Sequence, residues 1–329
     1  RGGKMVSFDP RGAIDIPDVI KVIDITGPEG DDIFGGGFAV IAKNTWAAFK
    51  GADAVKVKWR EADYPATTEE HWKRVEEAFS NPDAQTLVQE VGDTGLQFAD
   101  AGRDRIVEAE YRVPYLAHAT MEPMNATAWL RDGKLDVWSG NQGPTIILND
   151  VAWEAGLEPE NVELHTTYMG GGFGRRGEID FSRYATRVAR QTDGKPVQVV
   201  WTREEDMTHD TYRPISMGRM RGLIGDDGLP QAYELRTACP SIIASIMART
   251  FPSLSPMGPD DTMAHGLNGP PYAIPHYKAT THKVDLSIPI GFWRSVGHTF
   301  NAWYYESFLD EMAAAAKQEP LDYRRTMMK

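Results

Sequence analysis

The stretch "YMGGGFGRRGEIDF", residues 168–181, sets five glycines and two arginines between an apolar run and a helix-like run. Upstream, "NVELHTTYM" reads as a strand. Downstream, Ile179, Phe181, Tyr184, Ala185 and Val188 recur at helical spacing and predict a helix from about Glu178 to Gln191. The bare segment therefore joins a strand to a helix. Gly172, Gly174 and Gly177 satisfy G-x-G-x-x-G, the pattern of a dinucleotide-binding turn. Against a nicotinamide fold stand the bulky Phe173, the paired Arg175 and Arg176, flanking hairpins, and the lack of a second parallel strand–helix–strand unit at the usual spacing. A ligand-free turn needs only one or two glycines to supply positive φ, and five within eight residues exceed that need. The excess favours close approach of another body to the backbone. Exposed N–H groups at a helix start favour an anion, and Arg175 or Arg176 could add a charge-assisted contact.

Outward from this loop the chain divides into three parts. Residues 1–63 read as a small α/β module, with strands at "VIKVIDI" from Val19, "FAVIA" from Phe38 and "VKVKWRE" ending at Glu61, and a helix at "NTWAAFKGADA". Residues 64–104 turn polar and broken and are expected to be a connector, with a short helix in "TTEEHWKRVEEAFS" that Thr67 or Thr68 caps. From Arg105 a larger unit begins with the strand "RIVEAEYRV". In "TAWLRDGKLDVWS", Asp132-Gly133 between alternating apolar residues predicts a hairpin, and "TIILNDVAWEAG" a helix. Beyond the loop come the strand "KPVQVVWTRE" and a hairpin turning at Asp227-Gly228. An irregular segment is expected from Cys239 to Pro275. The last helix carries Phe300, Trp303, Tyr304, Phe308 and Met312 at helical spacing, a stripe expected to be core. The fold class is α+β.

A net charge of −12 argues against nucleic-acid binding, which needs a concentrated basic surface, so the loop arginines act locally. No apolar run approaches the roughly 18 residues of a membrane span. The single cysteine, Cys239, excludes an internal disulfide or a four-thiolate iron–sulfur cluster on this chain alone, and it reads as a buried apolar group. No H-E-x-x-H, Cys-x-x-Cys or G-x-S-x-G occurs, so a zinc site or serine nucleophile has little support. His118 and Glu122, four apart, read as a structural pair before a metal pair. The glycosylation-like "NAT" at Asn125 sits in a strand context.

Several stretches fall into one order: "AHATMEPMNATA" from Ala117, "WSGNQGP" from Trp138, "YMGGGFGRR" from Tyr168, "VVWTREEDM" from Val199, "YRP" from Tyr212 and "GFWRSVGHTFNAWYYESFLDE" from Gly291. Together they resemble the large subunit of the molybdenum hydroxylases, the xanthine oxidase family, and within it the isoquinoline oxidoreductase and aldehyde dehydrogenase branch. The resemblance spans nearly the whole chain. It implies a hammerhead-like α/β module followed by a molybdopterin-binding domain of mixed sheets and helices. The implied cofactor is a molybdopterin cytosine dinucleotide, with a terminal sulfide on molybdenum and no protein ligand to the metal. Carried over by position, Gly170, Gly171, Gly172, Phe173, Gly174 and Arg175 lie against the cofactor. The Phe173 amide and the Gln142 side chain face an oxygen on molybdenum. Arg294 belongs to the pocket-wall loop, with Trp293, Val296 and His298 near substrate.

The implied reaction is hydroxylation of an aldehyde or N-heteroaromatic by water, with two electrons leaving through iron–sulfur clusters on a [2Fe-2S] partner chain. The resemblance favours a periplasmic over a cytoplasmic location. The family's general-base glutamate lies in a glycine-flanked motif that does not occur before Lys329, so the remaining segments of a larger subunit are expected as partners. The arginine of purine-binding relatives is missing around Asp261 to Met263, and Glu178 falls one residue after the position where some relatives carry a glutamate. A cofactor-less scaffold of the same shape stays open as the alternative to the enzyme.

Overall fold

The computed structural model describes residues 2–27, 36–250, 254 and 258–328. The glycine loop hangs from a four-stranded sheet in the order Val197–Val200, Asn125–Arg131, Lys134–Ser139, Val162–Thr166. Asp132 (φ 49°) and Gly133 (φ 72°) make the expected two-residue hairpin, since both central positions of that turn need left-handed backbone. The last two strands run parallel, Leu135 opposite Val162 through Ser139 opposite Thr166. A parallel pair cannot be joined by a tight turn, and the helix Pro144–Ala155 makes the crossover, started by proline in its first turn and stopped by Gly156 at φ 70°. That helix and Asp180–Ala189 cover one sheet face, burying Ile147, Val151, Phe181, Ala185 and Val188 against Ala126, Ala128, Leu135 and Val137.

A five-stranded sheet forms the second layer, in the order Gln85–Val91, His276–Lys283, Pro230–Cys239, Ser216–Ile224, Ile106–Val113. All its pairs are antiparallel except Pro230–Cys239 with His276–Lys283. The helix His298–Ala315 beds into it where Gly218 and Gly222 remove side chains. A Cβ at Gly218 would stand 2.5 Å from the Tyr304 ring, and one at Gly222 2.5 Å from the Met312 sulfur. Phe300, Tyr304, Phe308 and Met312 are fully buried as expected, but Trp303 is 45% exposed and tilts against Tyr111.

Two expectations are corrected. The connector over 64–104 contains the strand Gln85–Val91, which pairs with His276–Lys283, and helices Thr68–Ala78 and Thr94–Asp100, which pack on that sheet. Thr67 caps the first of these helices, its Oγ1 accepting from Glu70 N at 3.3 Å. The irregular segment from Cys239 contains the helix Ile242–Thr250, while 251–253 and 255–257 lie outside the described residues. The N-terminal module holds two antiparallel pairs, Lys4–Asp9 with Lys56–Arg60 and Val19–Asp24 with Phe38–Ala42, the short helix Arg11–Ile14, and the helix Thr45–Ala54 capped by Asn44. It docks on the four-stranded unit through Ile23, Ile25, Ala39 and Ile41, and Arg187 donates to the Ile25 carbonyl at 2.8 Å.

Candidate functional site

Between Thr166 and Asp180 the chain makes one loop and a short turn, Arg175–Gly177. Its glycines are bare first of all because the protein itself lies against them. A Cβ at Gly170 would meet Glu122 Cβ at 2.6 Å, one at Gly172 would meet Gln142 Oε1 at 2.5 Å, and one at Gly174 would stand 1.5 Å from the Phe292 carbonyl oxygen. Gly171 and Gly174 also hold φ of 101° and 108°, a region that side chains disfavour. The body whose close approach the glycine count implied is thus in part three other segments of this chain. Gly177 meets nothing within 4 Å.

The loop keeps one outward-facing feature. Phe173 is 43% exposed and sits at φ 55°, an uncommon conformation for a residue with a side chain. The N–H groups of Gly171, Gly172 and Phe173 find no acceptor among the described residues. Successive peptide N–H groups in alternating left- and right-handed backbone form a concavity for an anionic oxygen. Beside them stands Gln142, exposed and held at two points: its N–H donates to the Arg176 carbonyl at 2.8 Å, and its Oε1 accepts from Gly174 N at 3.1 Å. With Oε1 committed to Gly174, the amide offers its NH2 as donor.

Both arginines of the loop turn inward. The Arg175 guanidinium is 1% exposed and donates to both oxygens of Asp180 at 2.9 and 2.8 Å. Its Nε lies 3.0 Å from Asp210 Oδ1, an ion-pair contact whose N–H is not aimed at that oxygen. Burial alone would lower this guanidinium, but Asp180, Asp210 and Glu178 outweigh it and raise its pKa above the ordinary arginine value. Arg176 is wholly buried and donates to the carbonyls of Gly171, Gly140 and Glu122 and to the Glu122 carboxylate at 2.9 Å. Burial lowers its pKa, with Glu122 and Asp206 opposing only in part. In this structure both charges are engaged inside, holding the loop's shape, Arg175 with Asp180 and Arg176 with Glu122.

Glu122 completes that clamp. Its Oε2 accepts from Gly170 N at 2.6 Å and from Arg176, and its Oε1 from the Asn125 side chain at 3.0 Å. Burial would raise the carboxyl, but these donors prevail and lower its pKa. The expected pairing of His118 with Glu122 does not form. The intervening residues are not helical, Ala119 stands at φ 46°, and the two side chains part, His118 to Asp210 and Glu122 to Arg176. Asn125, the sugar-acceptor match, is half-buried and engaged with Glu122.

The second wall is the segment 291–298. Ser295 (φ 70°) and Val296 (φ 52°) are consecutive left-handed residues, and a branched side chain there costs on the order of 1–3 kcal/mol. The turn is fastened by Val296 N to the Trp293 carbonyl at 2.7 Å and by Thr299 Oγ1 to the Arg294 carbonyl. Arg294 is exposed and forms no ion pair among the described residues. Trp293 is half-buried under Arg213, and His298 is exposed, stacked on His265 with ring centres 5.5 Å apart. The Phe292 carbonyl touches Gly174, so this wall meets the glycine loop directly.

Sequence reasoning missed Asp210, Asp180 and Arg249, and with them the true partners of His118 and Glu178 (2.7 Å to Arg249) that brace these segments. Asp210 lies between two quoted motifs, "VVWTREEDM" and "YRP", and that position was the available signal. Asp136, Glu163 and His165 also converge within 4.8 Å, but His165 already pairs with Asp136 at 3.0 Å and Arg131 holds the other Asp136 oxygen at 2.7 Å. Cys239 is buried, which pushes its thiol pKa up and leaves it unreactive.

The model of the molybdopterin cofactor-binding domain matches residues 78–328. A membrane-bound aldehyde dehydrogenase [pyrroloquinoline-quinone] of Gluconacetobacter polyoxogenes is 28% identical over 334 aligned positions, covering 99% of this chain and 42% of the relative. Isoquinoline 1-oxidoreductase subunit beta of Brevundimonas diminuta is 27% identical over 67% of this chain and 28% of its own length. Among solved structures, quinoline 2-oxidoreductase from Pseudomonas putida 86 superposes with a TM-score of 0.75 at 19% identity, over 99% of this chain and 45% of that one. The aldehyde oxidoreductase of Desulfovibrio gigas gives 0.73 at 21%, over 99% and 38%. The chain spans less than half the length of these relatives.

Proposed function

Since this chain belongs to the molybdopterin cofactor-binding family of the molybdenum hydroxylases, we propose that it forms the cofactor cleft of an oxidoreductase that hydroxylates an aldehyde or N-heteroaromatic. The observation that carries this reading is the donor set on one rim. The unpartnered N–H groups of Gly171, Gly172 and Phe173 lie beside the Gln142 NH2 and suit an oxygen-rich anion without adding net charge. The residues fit a molybdopterin dinucleotide, in the cytosine form by resemblance, and no side chain is needed as a metal ligand. Gly170, Gly172 and Gly174 serve through backbone shape, and Arg175 holds that shape from beneath. When bound, such a group supplies the two-electron oxidation of an electron-poor carbon with oxygen taken from water.

This chain's own residues bind, orient and screen. The Phe173 amide and the Gln142 NH2 would hold such a group through its oxygens, and Gln142 is set for that role in advance because it is tethered at both its backbone and its Oε1. Trp293 and Val296 shape the substrate wall. Arg294, exposed and unpaired among the described residues, faces the polar part of a substrate, with His298 beside it. A general-base glutamate and the electron carriers come from other segments or a [2Fe-2S] partner, since one cysteine cannot hold a cluster.

The experiment is metal and nucleotide analysis of the intact protein isolated with its partners. We expect stoichiometric molybdenum and release of a cytidine nucleotide on acid treatment. An active preparation that holds pyrroloquinoline-quinone, the group in one relative's name, and no molybdenum would overturn the reading.

A further inference from the structure

His118 and Asp210 stand behind both walls of the cleft and have no part in the function proposed so far. The His118 ring is sealed, its side chain 1% exposed. Nδ1 lies 3.0 Å from both oxygens of Asp210, and Nε2 lies 2.9 Å from the Phe292 carbonyl. Both neighbours accept hydrogen bonds. A carbonyl cannot donate, and a carboxylate donates only when protonated. Both Asp210 oxygens already accept from other donors, Oδ2 from the backbone N–H of His118 and Oδ1 from the backbone N–H of Thr211 at 2.7 Å, with the Arg175 guanidinium alongside, so they face His118 as acceptors. A neutral imidazole has one N–H and would leave one of its two contacts as acceptor against acceptor, in a place water does not reach. Other charges near this cluster are Asp180 and Glu178 on the Arg175 side and Asp206 with Arg203.

We infer that His118 is held as an imidazolium strut, a positioning residue that joins Asp210, and through it Arg175 of the glycine loop, to the Phe292 carbonyl of the substrate wall. The wall is placed where Gly174 receives that same carbonyl, so the strut fixes Phe292 against the loop that carries Phe173. Arg249 makes a parallel tie, donating to Glu178 and, at 2.9 Å, to the Ile290 carbonyl just before the wall. The meaning of the strut for catalysis rests on the function proposed above; its existence does not.

The test is neutron diffraction from the full protein at neutral pH, read together with hydrogen-exchange mass spectrometry of Asp210→Asn. Deuterium on both His118 nitrogens is expected, and deuterium on one alone overturns the proposal. In Asp210→Asn, the hydrogen-bonded amides of the wall, Ile290, Gly291 and Val296, and those of the loop, Gly170 and Gly174, should exchange at least about tenfold faster together, while those of Lys134–Ser139 stay unchanged. Unchanged exchange in the wall overturns it as well. In the cofactor-loaded enzyme the same variant should retain molybdenum and lose kcat/KM chiefly through KM. Should the protein hold no molybdenum at all, the cleft reading fails, while the neutron map and the exchange pattern still decide the strut. If Asp210→Asn does not fold, the wild-type map decides alone.

Discussion

At Gly174, two constraints meet in one residue: a left-handed φ of 108° and a carbonyl 1.5 Å from where a Cβ would lie. Gly174→Ala should therefore push Phe292 off the loop and lower stability by roughly 2 kcal/mol or more, from backbone strain and overpacking together. Gly177→Ala, three residues on and facing open space, should stay within about 0.5 kcal/mol of wild type. Chemical denaturation of both variants checks the pair; equal stabilities would show that the wall does not press on the loop. Gln142→Ala should leave folding nearly intact and reduce kcat on the order of tenfold or more, the usual effect of removing a donor aimed at a charged oxygen. Steady-state kinetics at matched molybdenum content measures it, and an unchanged kcat would remove Gln142 from the donor set. At this scale the glycine count alone made the loop conspicuous, but it does not tell contacts within the chain from contacts with a ligand. The partners of Gly172 and Gly174 come from residues 142 and 292, and nothing local in "GGGFGRR" names them. The same holds for Arg175 and Arg176: a charge in a loop reads as exposed until Asp180, Asp210 and Glu122 are seen around it.

Among the elements, the bed of His298–Ala315 depends on what Gly218 and Gly222 lack. Gly218→Val should drive a branched side chain into the Tyr304 ring and cost roughly 1–3 kcal/mol, as overpacked cores do. Phe308→Ala, which instead empties the same interface, should cost roughly 3–5 kcal/mol. Thermal unfolding of the two variants tests the account, and a Gly218→Val protein as stable as wild type would contradict it. Local signals served well where an element is decided by its own residues: Asp132-Gly133, the cap at Thr67, the helix after the loop. They failed for Gln85–Val91, whose partner strand His276–Lys283 lies far along the chain, so a sheet edge read as a connector. They failed again at Ile242–Thr250, where surrounding proline and glycine masked a helix whose Ile242 and Arg249 are buried by contacts from elsewhere.

For the molecule as a whole, acid should act through a buried imidazole away from the cleft. His282 is fully buried, and burial first, then Arg236 and Arg219, lowers its pKa to about 4. The unfolded chain binds the proton near 6.5, so between that pH and about 4 the unfolded state holds more protons, and stability falls as pH falls. The loss is on the order of 3 kcal/mol, complete only below the folded pKa. In His282→Leu, the slope of unfolding free energy over this window should flatten; an unaltered slope would assign the acid sensitivity to other groups. Family membership and the α+β architecture were legible from motif order along nearly the whole chain, because those motifs recur in one order whatever their three-dimensional partners.

The most direct measurement is a high-resolution density map of the complete protein with its partners, read at the N–H groups of Gly171, Gly172 and Phe173. The account predicts a pterin dinucleotide lying on that rim with an oxygen of its metal within hydrogen-bond reach of the Phe173 amide and Gln142. Ordinary protein packing over those N–H groups, with no ligand density beside them, would contradict it.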